Sequence, residues 1–108
     1  MKESENVKIW LTLPESSLEM IQEVIDKNGA GIIGNYSHCS FVTGGYGFFK
    51  PMDGANPTVG EVGKIQKEKE YSIQFLCKKS LVKKLVEEIK KVHPYEEVAI
   101  DIFPLLEI

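Results

Sequence analysis

The chain lacks an apolar run of membrane-spanning length, a cysteine pair at redox or metal spacing, and any excess of positive charge. The first lack excludes a helix across a bilayer, which needs about twenty consecutive apolar residues. The opening MKESENVKIW holds no basic stretch followed by an apolar one, so it does not read as an export signal, and a cytoplasmic location is expected. Cys39 and Cys77 are the only cysteines. They stand far apart and outside any Cys-x-x-Cys spacing, which in a chain without an export signal reads as two reduced thiols. The formal net charge is −3, and the lysines of KKSLVKKLVEEIKK alternate with glutamates and apolar residues. That pattern describes a solvated helix face, so neither a nucleic acid nor a membrane is expected as a partner.

What is present fits one globular domain spanning residues 1–108. Apolar residues make up 43% of the chain and charged ones 27%, enough for a single core without disulfides. VKIWLTL alternates Val7, Ile9, Leu11 and Leu13 against Lys8, Trp10 and Thr12, the period of a strand with one buried face. Pro14 closes it. ESSLEMIQEVIDKNG then sets Leu18, Ile21, Val24 and Ile25 on one stripe; Ser16 and Glu19 have capping-box spacing and Gly29 follows the end. YSHCSFVTGGYGFF is rich in β-branched and aromatic residues on both sides of Gly44-Gly45, which predicts extended structure around a turn.

Residues 50–64 are rich in glycine and proline and carry no helical or strand period, so a long loop is expected there. EKEYSIQFLC turns Tyr71, Ile73, Phe75 and Cys77 inward. From Ser80, a candidate cap, Leu81, Val82, Leu85, Val86, Ile89 and Val92 follow helical spacing. VAIDIFPL alternates Val98, Ile100 and Ile102 against Ala99, Asp101 and Phe103, and predicts a last strand that stops at Pro104. The order β-α-β-loop-β-α-β is that of the α+β, ferredoxin-like split βαβ fold, an antiparallel sheet with two helices on one face. Its other face would carry Trp10, Ala99 and Phe103 uncovered, and an uncovered apolar face predicts a partner, most simply another copy.

Three apparent motifs need weighing. GAGIIG, Gly29–Gly34, matches the dinucleotide fingerprint in letters only, because a helix precedes it and a strand follows, the reverse of what pyrophosphate binding needs. His38 and Cys39, as neighbours on a strand, would point to opposite faces, and no third or fourth ligand has suitable spacing. HPYEE gathers a histidine, a tyrosine and two glutamates. Pro94 stops the preceding helix, His93 is placed to meet its free carbonyls, and Glu96 and Glu97, if extended, diverge. The chemistry therefore favours a structural joint, then a ligand-binding rim, then catalysis.

GAGIIGNYSHCSF, GYGFFKP, GANPTVGEVG and HPYEEVAIDIFPL, in this order, resemble the inserted middle domain of the Nif three-like family, relatives of NGG-one-interacting factor three in the YqfO-like branch. The resemblance runs from about Val7 to the C-terminus. It implies a ferredoxin-like fold akin to the PII signalling and CutA proteins, here as a free-standing version, and a homo-oligomer with a trimer favoured. Both large flanking domains of that family, which hold a two-metal site, have no counterpart here. The resemblance therefore carries over no catalytic residue, metal ligand or cofactor, and a non-enzymatic module is expected, binding a small ligand, a metal ion or a protein partner. The alternative is a metal-dependent hydrolase or cyclohydrolase activity, as full-length members are labelled. Carried onto matching positions, the motifs make Tyr36, Cys39, Ser40, Gly45, Gly47, His93, Tyr95 and Glu96 the candidate ligand-binding residues, expected to share one surface.

Overall fold

The computed structural model describes all residues, Met1–Ile108. Four strands and two helices follow in the order β1 (Lys2–Leu13), α1 (Leu18–Lys27), β2 (Phe41–Phe49), β3 (Gln66–Lys78), α2 (Val82–Val92) and β4 (Ile100–Glu107). Each helix is preceded by one turn of 3-10 helix, Glu15–Ser17 and Lys79–Leu81. The sheet order is β2-β3-β1-β4, with every pairing antiparallel. This is the expected ferredoxin-like arrangement.

The core forms where the period-two faces of β1 and β3 meet the helical stripes. Val7, Ile9, Leu11 and Leu13 of β1 and Ile73, Phe75 and Cys77 of β3 pack against Ile21 and Ile25 of α1 and Leu85 and Ile89 of α2. Register pairs such as Ile9 with Phe75 and Leu11 with Ile73 put residues of one face side by side. α1 ends as the sequence predicts. Gly29 has φ +77°, its N–H reaches the Asp26 carbonyl at 3.0 Å, and the Ala30 N–H reaches that of Ile25 at 3.1 Å. These are the two bonds of a Schellman termination, which requires the left-handed conformation glycine adopts without strain.

The helix starts differ from expectation. No side chain caps either helix, because Ser16 and Ser80 lie inside the 3-10 turns and backbone carbonyls open those turns, Pro14 O accepting from Ser17 N at 3.0 Å. Nor is there a turn at Gly44-Gly45: β2 runs straight through them, opposite Tyr71 and Glu70. A Cβ on Gly44 would lie 3.3 Å from the Tyr71 ring, so glycine is there to admit a neighbouring strand's side chain. β4 does not stop at Pro104 but continues to Glu107, with Pro104 opposite Val7 where the pairing shifts register. An outermost strand tolerates a residue without an N–H, especially beside such an irregularity.

One feature of this topology positions the site. β3 pairs with β1 only from Tyr71 to Lys78, so residues 66–70 pair with β2 alone and project as a two-stranded arm. The molecule is 46 Å long, and its radius of gyration is 15.1 Å, against about 13 Å for a compact domain of this length. A bare two-stranded ribbon is marginally stable in water. Here the connecting loop folds back and pins the arm to the body.

Candidate functional site

The pinning contacts come from HPYEE. α2 ends at His93, whose backbone is extended (φ −71°, ψ 134°) as the following proline dictates, and the chain then crosses the end of β1. The ring of His93 is buried. Its Nε2–H donates to the Thr12 carbonyl at 2.8 Å and its Nδ1 accepts from the Tyr95 N–H at 3.2 Å, which fixes the neutral tautomer with the proton on Nε2. The ring thus serves β1 and not the helix carbonyls expected from its position. The joint predicted at HPYEE is real, and it is a three-way tie of α2, β1 and the 94–97 segment.

That segment holds the loop. The Asn56 N–H donates to both carboxylate oxygens of Glu96, at 3.0 and 3.1 Å, and the Thr58 hydroxyl donates to the Pro94 carbonyl at 2.8 Å. Tyr95 packs edge-on against His93, centroids 5.1 Å apart, and tilted against Phe49 at 6.4 Å. Arm, loop, joint and the helix-free face of the sheet together border a half-open cavity of about 520 Å³. Trp10, Thr12, Phe49, Pro51, Pro57, Thr58, Val59, Glu70, Tyr95, Glu96, Glu97 and Ala99 are among its lining residues. Most of that lining is apolar or aromatic with a few polar groups, the usual character of a small-molecule site.

Glu70 is the unusual member. It is 7% exposed on the face of β3 away from the helices, and no lysine forms an ion pair with it. Burial raises its carboxyl pKa above the usual carboxylate range, against the lowering influence of the Tyr95 hydroxyl. Burial, with Glu70 and Glu68 nearby, also pushes the Tyr95 phenol up to about 12. Glu70 occupies the space left by Gly47 on β2: a Cβ there would sit 2.7 Å from the Glu70 Cδ and closer still to an oxygen.

The eight candidate residues do not share one surface. Gly47, Tyr95 and Glu96 line the cavity, with His93 behind Tyr95 and Gly45 opposite Glu70 in the ladder. Tyr36, Cys39 and Ser40 lie instead in the loop before β2, where Cys39 and Ser40 border a pocket of about 120 Å³ against α1 and Tyr36 is largely exposed. His38 and Cys39 are not on a strand and both border that pocket, so the expectation that they diverge is corrected. His38, at φ +59°, turns its ring toward Asp26 (3.4 Å) and Glu23 (4.0 Å). Likewise Glu96 and Glu97 both line the cavity instead of diverging, since residues 95–97 form bends and the strand begins only at Ile100. Sequence reasoning missed Glu70, Asn56 and Thr58; an acid placed across from glycines on the neighbouring strand was the available signal.

The donors present do not fit a dedicated metal centre. No three histidine, cysteine or acidic side chains are placed to hold one ion, Glu23 and Asp26 meeting different nitrogens of the His38 ring, and both ring nitrogens of His93 are engaged. Tetrahedral and octahedral ions need at least that many. No helix is long and apolar enough to cross a membrane.

Comparison with known proteins places these features in context. A family model described as CutA1 divalent ion tolerance protein matches residues 62–108. The "GTP cyclohydrolase 1 type 2 homolog" proteins of Bacillus subtilis and Listeria innocua are 42% and 41% identical over 98 and 99 residues, in each case 91% of this chain and 26% of theirs. The chain thus spans about a quarter of the length of the curated relatives it matches. A Bacillus cereus protein related to NIF3 superposes with a TM-score of 0.83 at 34% identity, over 99% of this chain and 27% of that one. Pyrococcus horikoshii CutA superposes with a TM-score of 0.70 at 21% identity, over 94% of this chain and 86% of that one, a likeness of fold.

Proposed function

We propose that the chain, similar over 91% of its length to a quarter of the "GTP cyclohydrolase 1 type 2 homolog" proteins and in fold to a protein related to NIF3, is a CutA-like member of that family and acts as a non-enzymatic, homo-oligomeric module that binds a small ligand. The observation that carries the reading is the cavity of about 520 Å³, walled by the sheet, the arm and the pinned loop. Its volume suits a small organic molecule. The loop that closes it is held at two points on a segment tied through His93 to the core, so occupancy would be felt by the fold.

Association is supported by the two open edges of the sheet. β4 leaves Ile102, Phe103 and Leu106 about half or more exposed, and β2 leaves Phe41 and Phe48 so. Edge strands bearing apolar side chains invite pairing with another chain, and a closed trimer is the favoured arrangement. A hydrolytic reading follows the name of the relatives. The cavity favours it less: Glu70, Glu96 and Glu97 face it against Lys50 alone, a poor setting for a triphosphate.

Sedimentation velocity at about 10 μM protomer tests the association, with an oligomer expected; a persistent monomer would remove that part. Thermal-shift titration against amines, nucleotides and divalent metals tests the ligand, because anything bound to the native state alone raises the midpoint. No response to any class would reduce the module to a protein-binding or structural role. Turnover of a nucleoside triphosphate that is lost on metal depletion and restored on readdition would favour the hydrolytic reading.

A further inference from the structure

The cavity carries more than a size. Its polar groups are acidic, and the most buried of them, Glu70, is nine-tenths removed from solvent without a cationic partner. A buried carboxylate served by a phenol but by no cation is costly, and a cationic ligand would relieve that cost. Lys50, the one cation of the lining, is exposed and makes no ion pair with it. The same cavity is lined by the aromatic side chains of Trp10, Phe49 and Tyr95, and aromatic rings attract a cation that sheds its water easily. A small divalent metal ion is the wrong occupant, since it demands several oxygen or nitrogen ligands that do not converge here. An anion meets three carboxylates.

We propose that this cavity takes an organic monocation, an amine or quaternary ammonium on an apolar body, with its charge against Glu70 and its body among Trp10, Phe49 and Tyr95. The assignment rests on the ligand-site reading above and names the class of ligand. Gly47 belongs to it as a positioning residue: its missing side chain is the room in which the Glu70 carboxylate lies.

Trp10 is the chain's single tryptophan and lines the cavity, so its emission reports occupancy directly. The test titrates the whole protein with benzyltrimethylammonium, with its neutral isostere neopentylbenzene, and with benzoate, following Trp10 fluorescence and the amide resonances of residues 45–58 and 93–99. The cation is expected to bind about tenfold or more tighter than either of the others. Glu70→Gln, which keeps the volume and removes the charge, is expected to lose about tenfold in affinity for the cation and none for neopentylbenzene. Gly47→Ala, which displaces Glu70, should reproduce that loss. Benzoate or neopentylbenzene binding as tightly as the cation would overturn the assignment and leave the cavity a ligand site. Silence of Trp10 and of the cavity amides toward all three probes would overturn the ligand-site reading, and this one with it. Should Glu70→Gln fail to fold, the selectivity of the unaltered protein among the three probes decides.

Discussion

Replacing Tyr95 by phenylalanine removes one oxygen at the centre of the site and should give an effect that fades at high pH. At pH 7 the phenol faces the Glu70 carboxylate, with which no cationic side chain forms an ion pair. Taking a hydroxyl away from a buried carboxylate costs about 1–3 kcal/mol, so the variant should be less stable by about 2 kcal/mol at neutral pH. The phenol ionises near 10 in an unfolded chain and at about 12 in the fold, so it holds its proton more tightly when folded. Its contribution is therefore complete below pH 10 and is lost as the pH climbs toward 12. Two units at about 1.4 kcal/mol each is on the order of 2–3 kcal/mol, trimmed toward 2 by the partial exposure of Tyr95. The gap between the two proteins should thus close over that interval. Urea unfolding of both at pH 7, 10 and 11.5, at equal protomer concentration, measures it, and lysine titration common to both cancels. Phenolate absorbance should show one tyrosine's share rising around pH 12 in the natural protein only. A difference in stability that stays constant from pH 9 to 12 would refute the raised pKa that burial and the neighbouring acids give the phenol.

His93→Ala removes two hydrogen bonds and leaves the Thr12 carbonyl and the Tyr95 N–H unpaired; a loss of about 2–4 kcal/mol is expected, read as a fall of about 10–20 °C in the thermal midpoint. Gly29→Ala forces a side chain into φ +77°, and should lower stability by about 1–2 kcal/mol in urea without changing the slope of the transition. Glu70→Gln should stabilise the protein at pH 7: burial raises the carboxyl pKa, so the charged form is the one the fold penalises. The gain should fade as the pH falls below the carboxylate range, where the natural residue is protonated too, and stability curves from pH 3 to 8 would show it.

Much of the fold was legible because its signals are local and periodic. The alternation from Val7 to Leu13 and from Tyr71 to Cys77 names the buried faces residue by residue, and the stripe through Leu85 and Ile89 names that of α2. Gly29 announces its helix end for an equally local reason. The errors share a cause as well. Ser16 and Ser80 look like caps, but a cap needs the residue to stand just outside the helix, and an added 3-10 turn moved the start away from both. Gly44 and Gly45 look like a turn because glycine permits one. Whether the chain turns or lets a partner's ring lie flat against it depends on Tyr71, which is remote in sequence.

The site follows the same logic one level up. HPYEE could be read as a joint because proline's effect on the preceding residue is local, but the ring's partner, the Thr12 carbonyl, lies eighty-one residues away. Glu70 was hidden for a deeper reason. By alternation it belongs to the outward face of β3, where an acid is unremarkable, and nothing within the strand buries it. What buries it is the crossing of Tyr95 over the sheet and the vacancy at Gly47, two features that become neighbours only once the arm and the joint have folded together. The same argument separates the two groups of candidate residues. Tyr36, Cys39 and Ser40 sit on a loop tied to α1, whereas Gly47, Tyr95 and Glu96 are drawn together by the loop that Asn56 and Thr58 fasten. A substitution that frees that fastening should disturb the second group and leave the first untouched, which is how a shared role for all eight residues would be told from two separate ones.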